Sequence, residues 1–419
     1  MGKGIARRIF KGDRIIWIIF FLLCALSLVE VFSAISRQTY KSHNHWQLIT
    51  QHAVFLLGGA GVAWFIHHMK ISWIKQFSYT VYFAGIVLLM WAFFAGEQVN
   101  ESARWVNIMG IRFQPLEIAK MGLIMTTAHV LARSQTEEGT DLGAMKKILY
   151  LCAVPCIFIL MENLSTVVII LATIFFMMII GKVYWKHMLK LIGVGVGVVA
   201  IFATALILTP DKIRESASGF EKKIHSKMLT WKNRFRDLLD TSKEVTPQNY
   251  QISGNEQRTY ASIAIASSGL IGVGPGNSVQ RDYIPHAYSD FIFAIIIEEL
   301  GLIGGIGVIM LYLTLLYRCG KIASRCEDPY PAFLAMGIGM IITTQALLHM
   351  TISVGGLVTG QPLPLVSQGG TSIIINSTYI GILLSVSRYV RRLNKNNKKV
   401  AGDAVVTDIE NSDTTETAE

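Results

Sequence analysis

Residues Ile284 to Gly301 read Ile-Pro-His-Ala-Tyr-Ser-Asp-Phe-Ile-Phe-Ala-Ile-Ile-Ile-Glu-Glu-Leu-Gly. A polar segment turns here into an apolar helix. One carboxylate, Asp290, stands at the boundary, and two more, Glu298 and Glu299, stand inside the apolar run. At the helical rise Glu298 lies roughly 12 Å deeper than Asp290. Ionisable side chains inside membrane segments are rare, because hydrocarbon does not solvate them, so they are functional candidates by default. Ser289 or Asp290 also stands where a helix N-cap belongs, which is the structural alternative for Asp290. Capping cannot explain Glu298.

Working outward, the composition places this helix in a membrane. The chain has 419 residues, 52% hydrophobic and 16% charged, and a mean hydropathy of +0.45. A span needs roughly 20 mostly apolar residues, and about ten runs qualify. The expected fold is an all-α polytopic integral membrane protein with about ten transmembrane helices. The spans are Ile15–Ser33, Val54–Ile66, Thr80–Ala95, Pro115–Arg133, Ile148–Leu160, Val167–Ile180, Met188–Leu208, Ser289–Tyr317, Phe333–Ser353 and Ile373–Val386. A large extracytoplasmic loop, residues 211–288, separates spans seven and eight. Residues 1–14 form a cytoplasmic start, 15–392 the membrane domain, and 393–419 a polar tail whose composition predicts disorder. No small-residue cleavage site follows the first apolar run, which therefore reads as an uncleaved span.

The net charge of +10 does not point to nucleic acid. Its carriers fall in short segments between alternate spans: Lys3 to Arg14, Lys182 to Lys190, Arg318 to Arg325 and Arg388 to Arg392. By the positive-inside rule that side, with both termini, is cytoplasmic. The five cysteines lie in spans or on that side, so no disulfides are expected.

Three further stretches carry polar chemistry. Residues Asn100 to Lys120 hold Arg104, Arg112, Gln114, Glu117 and Lys120, with Pro115 suited to a first helical turn. Glu117 and Lys120, three apart, share a helix face. They make either a packing ion pair or, with Arg104 and Arg112, a cationic subsite for anionic groups. In the long loop, Phe220, Ile224, Met228, Trp231, Phe235 and Leu238 recur at helical spacing among lysines and arginines. That pattern predicts a basic amphipathic helix lying in the headgroup plane or docking a partner. Residues 355–372 carry no charge but many Gly and Pro, which suggests partial re-entry; irregular backbone is tolerated there only where protein or a polar cavity satisfies it.

Four motifs in this order resemble the SEDS family of bacterial cell-wall proteins, FtsW, RodA and SpoVE. They are Ala103-Arg-Trp with Gln114-Pro-x-Glu-x-x-Lys120; Gly269 through Ser278 with Ile284-Pro; Asp290-Phe-Ile-Phe-Ala with Glu298-Glu-Leu-Gly301; and Thr359-Gly-x-x-Leu-Pro364 with Ser367-x-Gly-Gly-x-Ser372. The Asp13-Arg14 start and the Phe32-Ser-Ala run look more like the FtsW branch than RodA.

The resemblance implies a peptidoglycan glycosyltransferase. It would polymerise lipid II on the outer face of the bacterial inner membrane during division, with a class B penicillin-binding protein and other divisome proteins as partners. The family's essential Asp aligns with Asp290, acting either as general base on the acceptor sugar or as a ligand of a divalent cation, magnesium or manganese. Arg104, Arg112, Lys120, Gln114, Ser367 and Ser372 would bind pyrophosphate or sugar. Glu117, Glu298, Glu299, Tyr288, His286 and His349 would support them, with Glu298 and Glu299 holding their helix through Lys120. The chain departs from the family at His286, Tyr288 and Ser289, at Glu162 to Thr166, at Gln368, and near His349, where an expected Asn is absent. Two other functions remain open at this level, a flippase for the lipid-linked precursor and a non-enzymatic divisome scaffold.

Overall fold

Asp13 starts the membrane bundle. Its carboxylate accepts the Ile15 amide at 2.8 Å and so caps helix α1, Arg14–Ala34, satisfying an N–H that the helix itself leaves orphaned. The Arg318 Nε donates to the same carboxylate at 3.0 Å, tying α1 to a helix some 300 residues later in the chain. The computed structural model describes residues 11–35, 45–95, 97–99, 102–108, 111–137, 139–208, 225, 228–229, 231–232, 256–284, 287–354 and 360–416. Strand residues 97–112 and the helix beyond 394 are described as backbone.

After α1 come α2, His45–His68, and α3, Ile71–Ala95. Next are α4, Pro115–Arg133; α5, Leu142–Glu162; α6, Leu164–Ile180; and α7, Trp185–Leu208. The long loop contributes α8, Glu256–Ser267, before α9, Ile292–Ala323; α10, Pro329–Ser353; and α11, Gly370–Glu416. Eight of these are long and apolar enough to cross a membrane: α1, α2, α3, α5, α7, α9, α10, and α11 as far as Asn394. The sequence suggested about ten spans, and the difference lies in two helices. Helix α6 has only 17 residues, and α4 is interrupted by Glu117 and Lys120.

Helix α2 packs on α11, α3 on α4, and α9 on α10, while α4 and α6 both lie against α10. The α3–α4 crossing is close because a Cβ on Gly122 would stand 2.6 Å from the Tyr82 Cα. Without a hydrophobic drive between helices in lipid, such small residues let backbones approach and gain dispersion contact. Around this core the outward faces remain apolar, as at Leu57 and Phe94, both more than 70% exposed.

Three features differ from the sequence reading. The segment between α3 and α4, expected as an irregular loop, forms an antiparallel sheet: β1, Glu97–Val99; β2, Ser102–Ile108; and β3, Ile111–Phe113. Strand β2 pairs with both β1 and β3, with Ile108 opposite Ile111. The polar tail, expected without order, continues α11 in backbone to Glu416. The basic amphipathic helix lies almost wholly outside the described residues; of it, His225, Met228, Leu229, Trp231 and Lys232 are helical, and the Trp231 ring lies 5.3 Å from that of Phe202 on α7.

The third difference shapes the site. The eighth span, expected as one helix from Ser289, begins at Ile292 and is broken at Gly301, where φ is 72° and ψ is −177°. The glycine-rich segment after α8 threads the break. The Val273 and Gly274 amides donate to the Glu298 and Glu299 carbonyls at 3.0 and 2.8 Å, and Leu302 N donates to Gly269 O at 3.1 Å. A Cβ on Gly301 would stand 2.3 Å from the Leu270 carbonyl oxygen.

Replacing Gly301 with Ala should therefore cost about 2 kcal/mol or more, since left-handed strain and a backbone clash combine. Gly307→Ala, with open space around its Cβ, is the control. Thermal unfolding of the detergent-solubilised protein reads the difference. Equal midpoints for the two variants would contradict a threaded break.

Candidate functional site

The turn carrying Asp290 is built from two distant pieces of chain. Residues 287–290 form a turn, and α9 starts only after Phe291, its N-cap, which makes no side-chain cap bond. Asp290 is therefore not the helix cap. Among the described residues its carboxylate has one hydrogen-bond partner, the Ser289 hydroxyl at 3.0 Å. It is half-buried, within electrostatic reach of His349, and otherwise open to an incoming group.

The turn is pinned by the uncharged segment before α11. The Ser367 hydroxyl donates to the Ser289 carbonyl at 2.7 Å and accepts the Leu363 amide at 2.8 Å. The Gln368 amide donates to the Tyr288 carbonyl at 3.0 Å. Ser367 thus spends its hydroxyl on backbone and is 2% exposed. Ser372, also buried, accepts from the Asn376 side chain at 3.1 Å in the first turn of α11. Both serines expected to bind substrate make hydrogen bonds within the protein.

The pinning segment itself re-enters the bundle, with Leu363, Leu365 and Val366 all buried. No lipid group can satisfy its backbone, and the carbonyls of Gln361, Pro362, Pro364 and Val366 find side-chain donors in the bundle. The His349 Nδ1 donates to Gln361 O at 2.7 Å, Gln345 Nε2 to Pro362 O at 3.0 Å, and Ser27 Oγ to Val366 O at 2.8 Å. The Tyr312 hydroxyl bonds Pro364 O. Leu365 sits at φ 66°, a strained conformation for a bulky residue that persists only when its surroundings over-determine it.

Lys120 joins this structure from the other side. Its ammonium donates to Glu117 Oε1 at 2.9 Å and to Gln345 Oε1 at 2.7 Å, and its side chain is 1% exposed. The ion pair of α4 therefore holds Gln345, which holds the re-entrant loop, which holds the Asp290 turn. His349, four residues beyond Gln345 on the same face, is fully buried and leaves Nε2 without a partner among the described residues.

Glu298 and Glu299 do not reach Lys120, contrary to the sequence expectation. Glu298 Oε1 accepts the Val279 and Gln280 amides at 3.0 and 3.2 Å. Glu299 accepts the Gly276 and Ser278 amides at 2.9 and 3.3 Å. Arg281 Nη1 lies 3.7 Å from Glu299 and donates to Ser33 of α1 at 2.7 Å. The two glutamates hold the glycine-rich loop on the broken helix. Carboxylates accepting several backbone N–H groups are satisfied without a counter-ion at each oxygen.

The remaining expected residues are less engaged. Gln114 is the N-cap of α4 without a side-chain cap bond. Arg104 lies on β2 and Arg112 on β3, where Arg112 pairs with Asn107; their side chains, like His286, lie outside the described residues. Strand β3 runs beside α11. Among the described residues no three His, Cys, Asp or Glu side chains gather into a cation-binding set. Reasoning from sequence missed Gln345, Gln361, Arg281 and Ser33. Gln345 alone had a signal, as an uncharged amide in mid-span one turn from His349.

Residues 13–392 match the family described as cell cycle proteins, comprising FtsW, RodA and SpoVE. The chain belongs to the FtsW/RodA/SpoVE family. It is 31% identical over 366 residues to a probable peptidoglycan glycosyltransferase FtsW of Halomonas elongata, covering 85% of each chain. It is 29% identical to the corresponding protein of Nitrosomonas europaea, covering 87% of this chain and 90% of that one. Its fold is like that of a chain in a peptidoglycan synthase complex coordinating polymerization and crosslinking, with a TM-score of 0.66 at 22% identity over 90% of this chain and 98% of that one. Thermus thermophilus RodA gives a TM-score of 0.62 at 21% identity, over 90% and 97%. Within this FtsW/RodA/SpoVE fold the helix break and the re-entrant loop converge on one aspartate.

The position of Lys120 separates packing from ligand binding. Lys120→Met should strand the buried Glu117 carboxylate and cost about 3 kcal/mol or more, and Lys120→Met with Glu117→Leu should recover much of it. The check is the unfolding midpoint of each variant in detergent. A Lys120→Met protein that melts like the parent would return Lys120 to the role of a substrate ligand.

Proposed function

We propose that this chain is a peptidoglycan glycosyltransferase that polymerises lipid II at the outer face of the bacterial inner membrane during cell division. The observation that carries this reading is Asp290 itself. It is neither a helix cap nor an ion-pair partner among the described residues, yet a buried polar network fixes its backbone.

Chain growth joins an acceptor sugar hydroxyl to the anomeric carbon of a lipid-linked donor. The new C–O bond forms as the bond to the lipid pyrophosphate breaks, and the hydroxyl proton must leave. Asp290 takes that proton as general base, a contribution of roughly 10² to 10⁴ in rate. The departing pyrophosphate needs preorganised positive charge. Lys120 is already committed to Glu117 and Gln345, so this task falls to Arg104 and Arg112 on the sheet above α4, a role to be tested with them. Ser367, Gln345 and His349 act as positioning residues, since each touches the turn or the loop that holds it.

Ten spans are inferred, α4 and α6 completing the eight that meet the length and hydropathy requirement, with both termini cytoplasmic by the charge rule. A class B penicillin-binding protein is the inferred partner, supported by the likeness of fold to a chain from a synthase complex. The broken α9 is a feature shared with transporters, whose unwound carbonyls line an ion or substrate site. Here those carbonyls are taken up by Val273 and Gly274 of the same chain, which disfavours a flippase.

Purified protein with its penicillin-binding partner, given lipid II, tests the assignment. Asp290→Asn should lower glycan synthesis at least about 100-fold with an unchanged unfolding midpoint. Full polymerisation by that variant would remove Asp290 as the base, and no polymer from the parent complex would favour transport or scaffolding.

A further inference from the structure

At the end of the bundle away from Asp290 lies a second site. Helix α11 starts beside the Asp290 turn at Gly370, and Arg388 is 18 residues further along it, so roughly 27 Å separate the two along the helix axis. There the end of α2, the starts of α3 and α10 and residues 385–393 of α11 line a partly open cavity of about 540 Å³. Four cations line it, Lys70, Lys75, Arg388 and Arg392, against a single carboxylate, Asp328.

That carboxylate is occupied by the Tyr389 hydroxyl. Among the described residues none of the four cations forms an ion pair. Arg388 is 9% exposed, and its Nη2 donates to the His68 and Met69 carbonyls at 2.8 and 2.7 Å. Those bonds fix the guanidinium without neutralising it. Lys75 is held over the Tyr330 ring at 5.7 Å. Two helices also begin at the cavity, α3 at Ile71 and α10 at Pro329, and neither has an acidic residue in its first turn. The start of α3 adds the positive end of its dipole to the side chains, whereas α10, preceded by Asp328 at its N-cap and with prolines at 329 and 331, contributes little. Concentrated uncompensated charge of one sign, partly desolvated, calls for an anion with several acceptor oxygens.

The depth of the cavity narrows the choice. Trp64, one turn before the end of α2, and Trp73, in the first turn of α3, are both about half exposed, and exposed Trp marks the headgroup level of a bilayer. The cavity size is that of a small-molecule site. Basic pockets between span ends on the positively charged side suit phosphate headgroups. We propose that this cavity binds the phosphate of an anionic phospholipid of the cytoplasmic leaflet, a site separate from the catalytic one.

The test is native mass spectrometry of the full-length protein released from equal mixtures of phosphatidylglycerol and phosphatidylcholine. The parent should retain one phosphatidylglycerol in preference to phosphatidylcholine. Lys70→Gln/Lys75→Gln/Arg392→Gln should weaken that retention on the order of 100-fold, and Arg392→Gln alone, at an exposed position, by about fivefold. Lys186→Gln/Lys190→Gln, basic residues outside the cavity lining, should leave it unchanged. Equal retention by the triple variant, or a parent without preference between the two lipids, overturns the proposal. Displacement of the lipid by equimolar inorganic phosphate would overturn its lipid source in favour of a soluble phosphate.

Discussion

A buried backbone must be hydrogen-bonded from within, and that constraint governs the centre of this molecule. The segment before α11 has no charged residue and no regular structure over 360–367, yet it is enclosed among helices. An unsatisfied carbonyl in hydrocarbon costs several kcal/mol, so the bundle has to supply donors where the loop needs them. It does so from three helices, with Ser27 of α1, Tyr312 of α9, and Gln345 and His349 of α10, while α4 contributes Lys120 to orient Gln345. Ser27, Tyr312, Gln345 and His349, polar groups costly to bury in isolation, are each offset by the loop carbonyl they serve.

The same logic explains the paired glutamates. Breaking a helix at Gly301 releases carbonyls at Glu298 and Glu299 and leaves the facing loop with amide groups to place. The loop answers the carbonyls through Val273 and Gly274, and the glutamate side chains answer the loop through the amides of residues 276 to 280. Two elements that would each be unsatisfied alone complete one another. The result is a mutually satisfied pair of elements further along the helix that follows the Asp290 turn.

The two ends of the bundle divide the electrostatics. At the end that carries Asp290, Lys120 is paired with Glu117 and Arg281 with Glu299, while the half-buried Asp290 makes no ion pair among the described residues. At the other, Lys70, Lys75, Arg388 and Arg392 gather around one cavity with their charge unspent. An asymmetry of this kind fits a protein with chemistry on one membrane face and lipid contacts on the other.

Much of this was readable from the chain. Hydropathy marked the membrane class and most of the helices, and the position of Asp290 before an apolar run marked it for attention. Re-entry of the uncharged loop followed from the need to satisfy its backbone. These are properties of local composition, which the 3.6-residue period and the cost of burying charge translate directly into structure. What composition could not decide was partnership. Glu117 and Lys120, adjacent on a helix, were legible as a pair, but Gln345 lies 225 residues from Lys120. Whether Glu298 would turn toward Lys120 or toward the Gly276–Gln280 loop depended on a helix break that a run of Ile and Glu does not announce. Nor could spacing decide whether Asp290 capped its helix, because the competing bonds to its turn come from Ser367 and Gln368, nearly 80 residues away. Local sequence sets which groups are costly to bury; only the packed bundle determines which group satisfies which.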